Sequence, residues 1–368
     1  MSGVNPYLSH IKPYKVASHK IWSVEPEERS GILKLDWNEA TVPPAPGVKK
    51  AVQALLAQDD FFHLYPSTVN DSLMARLCDY TGLPQENILY FSGSDALQEV
   101  LVRVWLHEGS RVLLIWPSYD NFRLTAESTG AALSYLELGK DFVYEPEKVA
   151  RTIEETKTEF VYLCNPNNPS GTLIPAEEIE ALLERFPDTV FLVDEAYGEF
   201  AETTAAPLVL RYENLLISRT LSKAFALANI RFGYMLASEK NIEAVAKIRN
   251  PKNISTITQA AAEAALADVD YMKDYVREVQ EAREYLISSI NESPLREWVY
   301  AYESRANFVL LRFADAGSCS RMQAAWEAEN IFVRLVRQSP SLENCLRISI
   351  GKKSQMERVL SVMRLAFL

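Results

Sequence analysis

The stretch NILYFSGSDALQEVLVRVWLHEGSRVLLI, residues 87–115, reads as three elements in succession. Residues 88–91 (ILYF) form a short apolar run without polar alternation, which suits a strand buried on both faces. Ser92-Gly93-Ser94 is a turn signal, and from Asp95 to Leu106 apolar residues recur at helical spacing, so a helix is expected over 95–106. Residues 111–115 (RVLLI) then supply a second buried strand. Strand, glycine turn, helix and strand make the repeating unit of a parallel sheet covered by helices.

The same alternation continues outward from that stretch. Further strands are expected over 133–136, 160–163, 189–193, 215–218 and 232–236, which gives an α/β fold built on a mostly parallel sheet sandwiched by helices. After about Asn250 the pattern changes to a long helical region, 255–290, and then to β-rich stretches at 306–312, 331–336 and 345–350. That part reads as a smaller α+β domain. The expected division is an N-terminal segment, 1–45, packing with the small domain, a large domain, 46–250, and a small C-terminal domain, 251–368.

The 368 residues carry a net charge of −11, which repels a phosphate backbone, and no run of Lys and Arg forms a basic stripe. Nucleic acid is therefore not an expected partner, and an anionic substrate would have to be captured by a few well-placed arginines. The four cysteines and four histidines are scattered without metal-ligand or disulfide spacing, so no metal is expected. The N-terminus lacks an apolar signal segment and no stretch of about 18 apolar residues occurs. The expected location is the cytoplasm, with no membrane partner.

In an open α/β sheet, ligands lie beyond the C-terminal strand ends, and polar residues follow the apolar runs at four places. Gly93, Ser94 and Asp95 open a helix whose N–H groups suit an anion. Asn165 begins a rigid turn-rich loop reaching Gly171, and as the strand-end residue it could hydrogen-bond a phenolic oxygen. Asp194 follows VFLV, so its carboxylate is expected at a strand end in need of a cationic partner, with the Tyr197 phenol beside it. Lys223 ends SRTLSK, where a desolvated amine can act as a nucleophile, and Thr220, Ser222 and Arg231 together could hold a phosphate. Taken one at a time these residues have bland readings: a solvated lysine, an ion-paired aspartate, a simple turn, a core tyrosine at Tyr119.

As an ordered set they resemble fold-type I enzymes that use pyridoxal 5′-phosphate (PLP), and more narrowly the histidinol-phosphate aminotransferase family. The resemblance runs through Tyr65-Pro66, Gly93-Ser94-Asp95, Pro117-Ser118-Tyr119, residues 165–171, Asp194-Glu195-Ala196-Tyr197, RTLSKAF at 219–225, Arg231-Phe232-Gly233-Tyr234, Ala306-Asn307-Phe308 and Leu346-Arg347-Ile348. It implies that Lys223 carries PLP as an imine and later shuttles the substrate proton. It implies that Asp194 pairs with the pyridinium nitrogen, that Asn165 and Tyr197 hold the ring's phenolic oxygen, and that Tyr119 stacks on the ring. Ser94 and Asp95 (through backbone N–H groups), Thr220, Ser222 and Arg231 would bind the phosphate. Tyr65 would reach it from a neighbouring subunit, which implies a homodimer with shared sites.

On the substrate side, Arg347, Arg334 and Tyr14 match anion-binding and pocket-lining residues of the same family. The departures fall there too: KVASHK at 15–20 stands in place of a Pro-Gly turn, Asn38-Glu39-Ala40-Thr41 replaces an Asn-Glu-Asn-Pro string, and Ala96 replaces an acidic residue. The implied reaction is a ping-pong amino transfer from a donor such as glutamate, with histidinol phosphate and 2-oxoglutarate as the leading pair. Alternatives are an aromatic or another small phosphorylated amine, and decarboxylation of a phosphorylated amino acid.

Overall fold

The computed structural model describes residues 3–12 and 20–368. Tyr14 and most of the KVASHK string lie outside the described residues. The described strands, in chain order, are β1 (Leu33–Leu35), β2 (Ile88–Phe91), β3 (Arg111–Trp116), β4 (Ala132–Glu137), β5 (Phe160–Cys164), β6 (Val190–Asp194), β7 (Leu215–Thr220), β8 (Gly233–Ala237), β9 (Val299–Ala301), β10 (Phe308–Phe313), β11 (Ile331–Leu335) and β12 (Cys345–Ser349).

Strands β2 to β8 form a seven-stranded sheet in the order β2-β8-β7-β6-β5-β3-β4. The pairs β3–β4, β3–β5, β5–β6 and β6–β7 are parallel. β8 runs against both of its neighbours, β2 and β7. Every residue of β5, β7 and β8 is buried, whereas β4 at the edge is largely exposed or half-buried. Apolar runs without alternation therefore became the central strands, because helices cover both faces there. The reversal of β8 was not expected from its sequence: GYMLA is as uniformly apolar as the parallel strand β5, and nothing in it records direction.

The second sheet has the order β1-β11-β12-β10-β9. β1, from the N-terminal segment, adds to its edge in parallel with β11, and the remaining pairs are antiparallel. The expected helical region 255–290 is two helices, Thr256–Leu266 and Val269–Asn291. The break falls where the Asp268 side chain caps the second helix by accepting from Tyr271 N at 3.3 Å. The first of the two helices packs on the helices Pro46–Leu56 and Asp71–Thr81.

The helix after β2 spans Gly93–Trp105, two residues earlier than its apolar periodicity suggests. Ser94 and Asp95 thus lie inside its first turn, where backbone N–H groups have no helical acceptor. The C-terminal ends of β2, β5, β6 and β7 and the start of β8 meet at one end of the large sheet. The cleft opens there.

Candidate active site

Asp194 ends β6, opposite Cys164 of β5 and Ser218 of β7, and is 2% exposed. Its Oδ2 accepts from Gln98 Nε2 at 2.8 Å and from the Tyr162 hydroxyl at 2.9 Å. Its Oδ1 is buried with no hydrogen-bond partner. Burial pushes this carboxyl up to about 6 from the usual 3.8, although both donors oppose the rise. A buried carboxylate oxygen left without a partner is costly, and a cationic N–H at the floor of the cleft would satisfy it. The protonated ring nitrogen of PLP is such a group, so this strand end fits that cofactor.

The phosphate end of the cofactor finds an equally specific cradle. Gly93 has φ +88°, and a Cβ there would come within 2.7 Å of Arg231 Nη2. Gly233 has no room either, since a Cβ would lie 2.5 Å from Ser94 N. These two glycines let the start of β8 and the Arg231 guanidinium close on the first turn of the helix Gly93–Trp105. Ser92, at that helix's N-cap, makes no side-chain cap, which leaves the first-turn N–H groups to a ligand. On the opposite side Thr220 Oγ1 lies 2.9 Å from Ser222 Oγ and accepts from Ser222 N at 3.1 Å. Arg231 Nη2 stands 3.3 Å from Asp95 Oδ2, whose other oxygen accepts from Tyr119 Oη at 3.0 Å and Asn121 Nδ2 at 3.2 Å. Ser94, Asp95, Tyr119, Asp194, Tyr197, Thr220, Ser222, Lys223 and Arg231 all line one recess.

Lys223 Nζ donates to the Trp37 carbonyl at 3.0 Å and lies 5.7 Å from the Tyr197 ring centroid. Burial, helped by the positive charge of Arg347, lowers its ammonium to about 8 from the usual 10.5. A neutral amine is therefore accessible near neutral pH, as a covalent carrier of a carbonyl cofactor requires.

The expectation for Asn165 is not met. Its Nδ2 donates to Ile174 O at 2.9 Å and its Oδ1 accepts from Ile174 N at 2.7 Å, so both ends of the amide are spent in closing the loop. Asn168, three residues on, takes the site: its Nδ2 donates to the Tyr197 hydroxyl at 3.1 Å and its Oδ1 accepts from Arg347 Nη1 at 2.6 Å. Asn38 Nδ2 also donates to the Tyr197 hydroxyl at 3.1 Å. Sequence reasoning missed Asn168 by choosing the strand-end asparagine, and it missed Gln98 and Tyr162 altogether. A glutamine within the apolar run ALQEVLV and a tyrosine within FVYLC were the available signals.

Arg347 is 8% exposed, donates from Nη2 to the Asp36 carbonyl at 2.7 Å and stacks over the Phe308 ring. Arg334 lies directly across the β11–β12 ladder from it, and both line a cleft of about 950 Å³ that also contains Lys223 and Tyr197. Tyr65 does not join this set. It is 81% exposed, with Lys252 Nζ over its ring at 4.3 Å.

The family described as "Aminotransferase class I and II" matches residues 30–363. The chain is 37% identical to a dihydroxyacetone phosphate transaminase of Campylobacter jejuni, over 96% of this chain and 95% of that protein. It is 35% identical to a histidinol-phosphate aminotransferase of Ruminiclostridium cellulolyticum, over 95% and 92%. The crystal structure of histidinol-phosphate aminotransferase from Sinorhizobium meliloti, in complex with PLP, superposes with a TM-score of 0.84 at 28% identity, covering 99% of this chain and 98% of that one.

Proposed function

We propose that this chain, which belongs to the class I and II aminotransferases and works with PLP, moves an amino group between glutamate and a phosphorylated carbonyl compound. The observation that carries the substrate side is the pair Arg334 and Arg347, facing each other across neighbouring strands at the cleft. Like charges placed directly opposite destabilise a sheet. An anion between or beside them relieves that repulsion, and every substrate of the proposed reaction brings at least one anionic group. Glutamate brings two carboxylates, and the acceptor brings a phosphate.

When bound, PLP supplies an electron sink for the carbon that loses its proton. The chain's own residues do the rest. Asp194 keeps the ring nitrogen protonated by offering its unpartnered oxygen. Ser94, Asp95, Thr220, Ser222 and Arg231 would anchor the phosphate, and Tyr119 would cover the ring face. Tyr197 and Asn168 would hold the phenolic oxygen. Lys223, with its lowered proton affinity, takes the proton from the substrate's Cα and returns one, while Arg347 fixes the substrate's orientation through a charge-assisted bond. One site serves both half-reactions in turn, so the kinetics are ping-pong. The exposed Tyr65 is assigned to a neighbouring subunit's phosphate site in a homodimer.

The test is a panel of amines mixed with the PLP-loaded protein in the absence of keto acid. Histidinol phosphate, the amine corresponding to dihydroxyacetone phosphate, aromatic amino acids and glutamate are each followed by loss of the cofactor's visible absorbance. Rapid loss with glutamate and with a phosphorylated amine is expected. Equal rates for phosphorylated amines and their phosphate-free counterparts would overturn the substrate reading, and release of carbon dioxide in place of the carbonyl product of the amine would overturn amino transfer.

A further inference from the structure

Three consecutive residues on the N-terminal segment touch three different working groups. The Asp36 carbonyl accepts from Arg347, the Trp37 carbonyl accepts from Lys223, and the Asn38 side chain donates to Tyr197. The first two contacts use backbone that any residue supplies. The third depends on a particular side chain.

Asn38 is 1% exposed and sits at φ 56°, in the left-handed region that asparagine tolerates better than most residues with a side chain. Its orientation is settled by hydrogen-bond logic. Asn38 N donates to Ser349 Oγ at 2.9 Å, so that hydroxyl gives its own proton to Asn38 Oδ1, 3.2 Å away. Nδ2 is thereby the end that faces Tyr197. The same reasoning applies to Asn168, whose Oδ1 is claimed by a guanidinium that can only donate. The Tyr197 oxygen thus accepts from two amides, 3.1 Å away each. A phenol has two acceptor sites and one proton. With both acceptor sites filled from the protein side, the proton has only the cleft to point to. Phe308, edge-on at 5.0 Å, holds the ring against rotation.

We propose that Asn38 is a positioning residue: together with Asn168 it fixes Tyr197 as an obligate hydrogen-bond donor to the cofactor's phenolate oxygen, and through Ser349 it ties that phenol to the strand carrying Arg347. The inference rests on the PLP reading above. Its competitor is a purely structural role, in which Asn38 only pins the N-terminal segment to β12.

Asn38→Gly separates the two, because glycine adopts the same φ and keeps the backbone bonds of residue 38, N–H to Ser349 Oγ and the carbonyl from Asn307 Nδ2, while losing the amide. A donor aimed at the phenolate favours the form in which the proton beside that oxygen has left. Weakening the donor therefore raises the pH at which the bound cofactor's visible absorbance titrates. A rise of about half a pH unit is expected, the scale of one neutral hydrogen bond, together with faster release of PLP. Asn38→Asp, whose carboxylate would accept from Tyr197 and turn its proton away from the ring, should raise the midpoint further. Should Asn38→Gly fold poorly, Ser349→Ala tests the same point, since it frees the amide to rotate and should shift the midpoint in the same direction by less. A lower denaturation midpoint with an unmoved absorbance titration in these variants would overturn the proposal in favour of the structural role. Absence of any titrating absorbance in the unmodified protein would instead overturn the cofactor reading, and this one with it.

Discussion

Lys223 and Asp194 are both shifted toward their neutral forms, and in each case burial is the leading cause. Replacing Lys223 by alanine should abolish both turnover and the covalently bound cofactor's absorbance; turnover retained by the Lys223→Ala protein would refute the assignment. Two of the three asparagines of the 165–171 loop, Asn165 and Asn168, make a finer comparison. Asn168→Ala removes a donor to Tyr197 and an acceptor for Arg347, so it should lower kcat/KM about tenfold or more, while Asn165→Ala should act on thermal stability, because it opens the Ile174 closure. The reverse pattern would restore Asn165 to the site. Lys223, Asp194 and Tyr197 were legible because each directly follows, or closely follows, a strand whose apolar run is unmistakable. Which of two asparagines three residues apart looks into the cleft depends on where the loop turns back, and that is fixed by contacts with Ile174 that no local pattern announces.

At the scale of elements, neighbouring strand ends are joined behind the cofactor face. Glu195, next to Asp194, pairs with Arg219, next to Thr220, at 2.8 Å, and both are almost fully buried. Thr204 and Ala205 N complete the carboxylate's bonds at 2.7 Å each. Removing one partner of a buried pair leaves an uncompensated charge, so Arg219→Met should cost about 3 kcal/mol in a denaturant titration, and converting Glu195 to Gln as well should recover part of it. Strictly additive losses would show that the pair is not coupled. On the other sheet, Arg347→Ala should raise KM for glutamate and for a phosphorylated amine while leaving PLP affinity nearly unchanged, and Arg334→Ala should do so for only one of the two. Equal loss of PLP and substrate would make Arg347 structural. The elements themselves were largely legible, since long apolar runs and helical periodicity survive folding. β1 and β9, of three residues each, and the break at Asp268 were not. Short edge strands are defined by the partner they find, and a single capping aspartate interrupts a periodicity that otherwise continues.

For the molecule as a whole, the site is a source of instability until the cofactor arrives, and pH exposes it. Asp194 has a folded value of about 6 against the usual 3.8, so between those pH values the folded chain binds more protons than the unfolded one, and stability falls as pH rises through that window. Lys223 has a folded value of about 8 against 10.5, so between those values the unfolded chain binds more protons, and stability rises with pH there. From about 6 to 8 the cofactor-free protein carries both charges in places that disfavour them. Asp194→Asn should therefore make the cofactor-free protein more stable at pH 7 and leave it little changed at pH 4, where the native carboxyl is already mostly protonated. The same variant should bind PLP more weakly at pH 7, since a neutral amide no longer retains the ring proton. Urea titrations of both proteins at the two pH values, without and with PLP, decide the matter. A variant destabilised equally at pH 4 and pH 7 would mean that Asp194 serves its bonds to Gln98 and Tyr162, and that the strand end is built for packing instead of for a cationic ring.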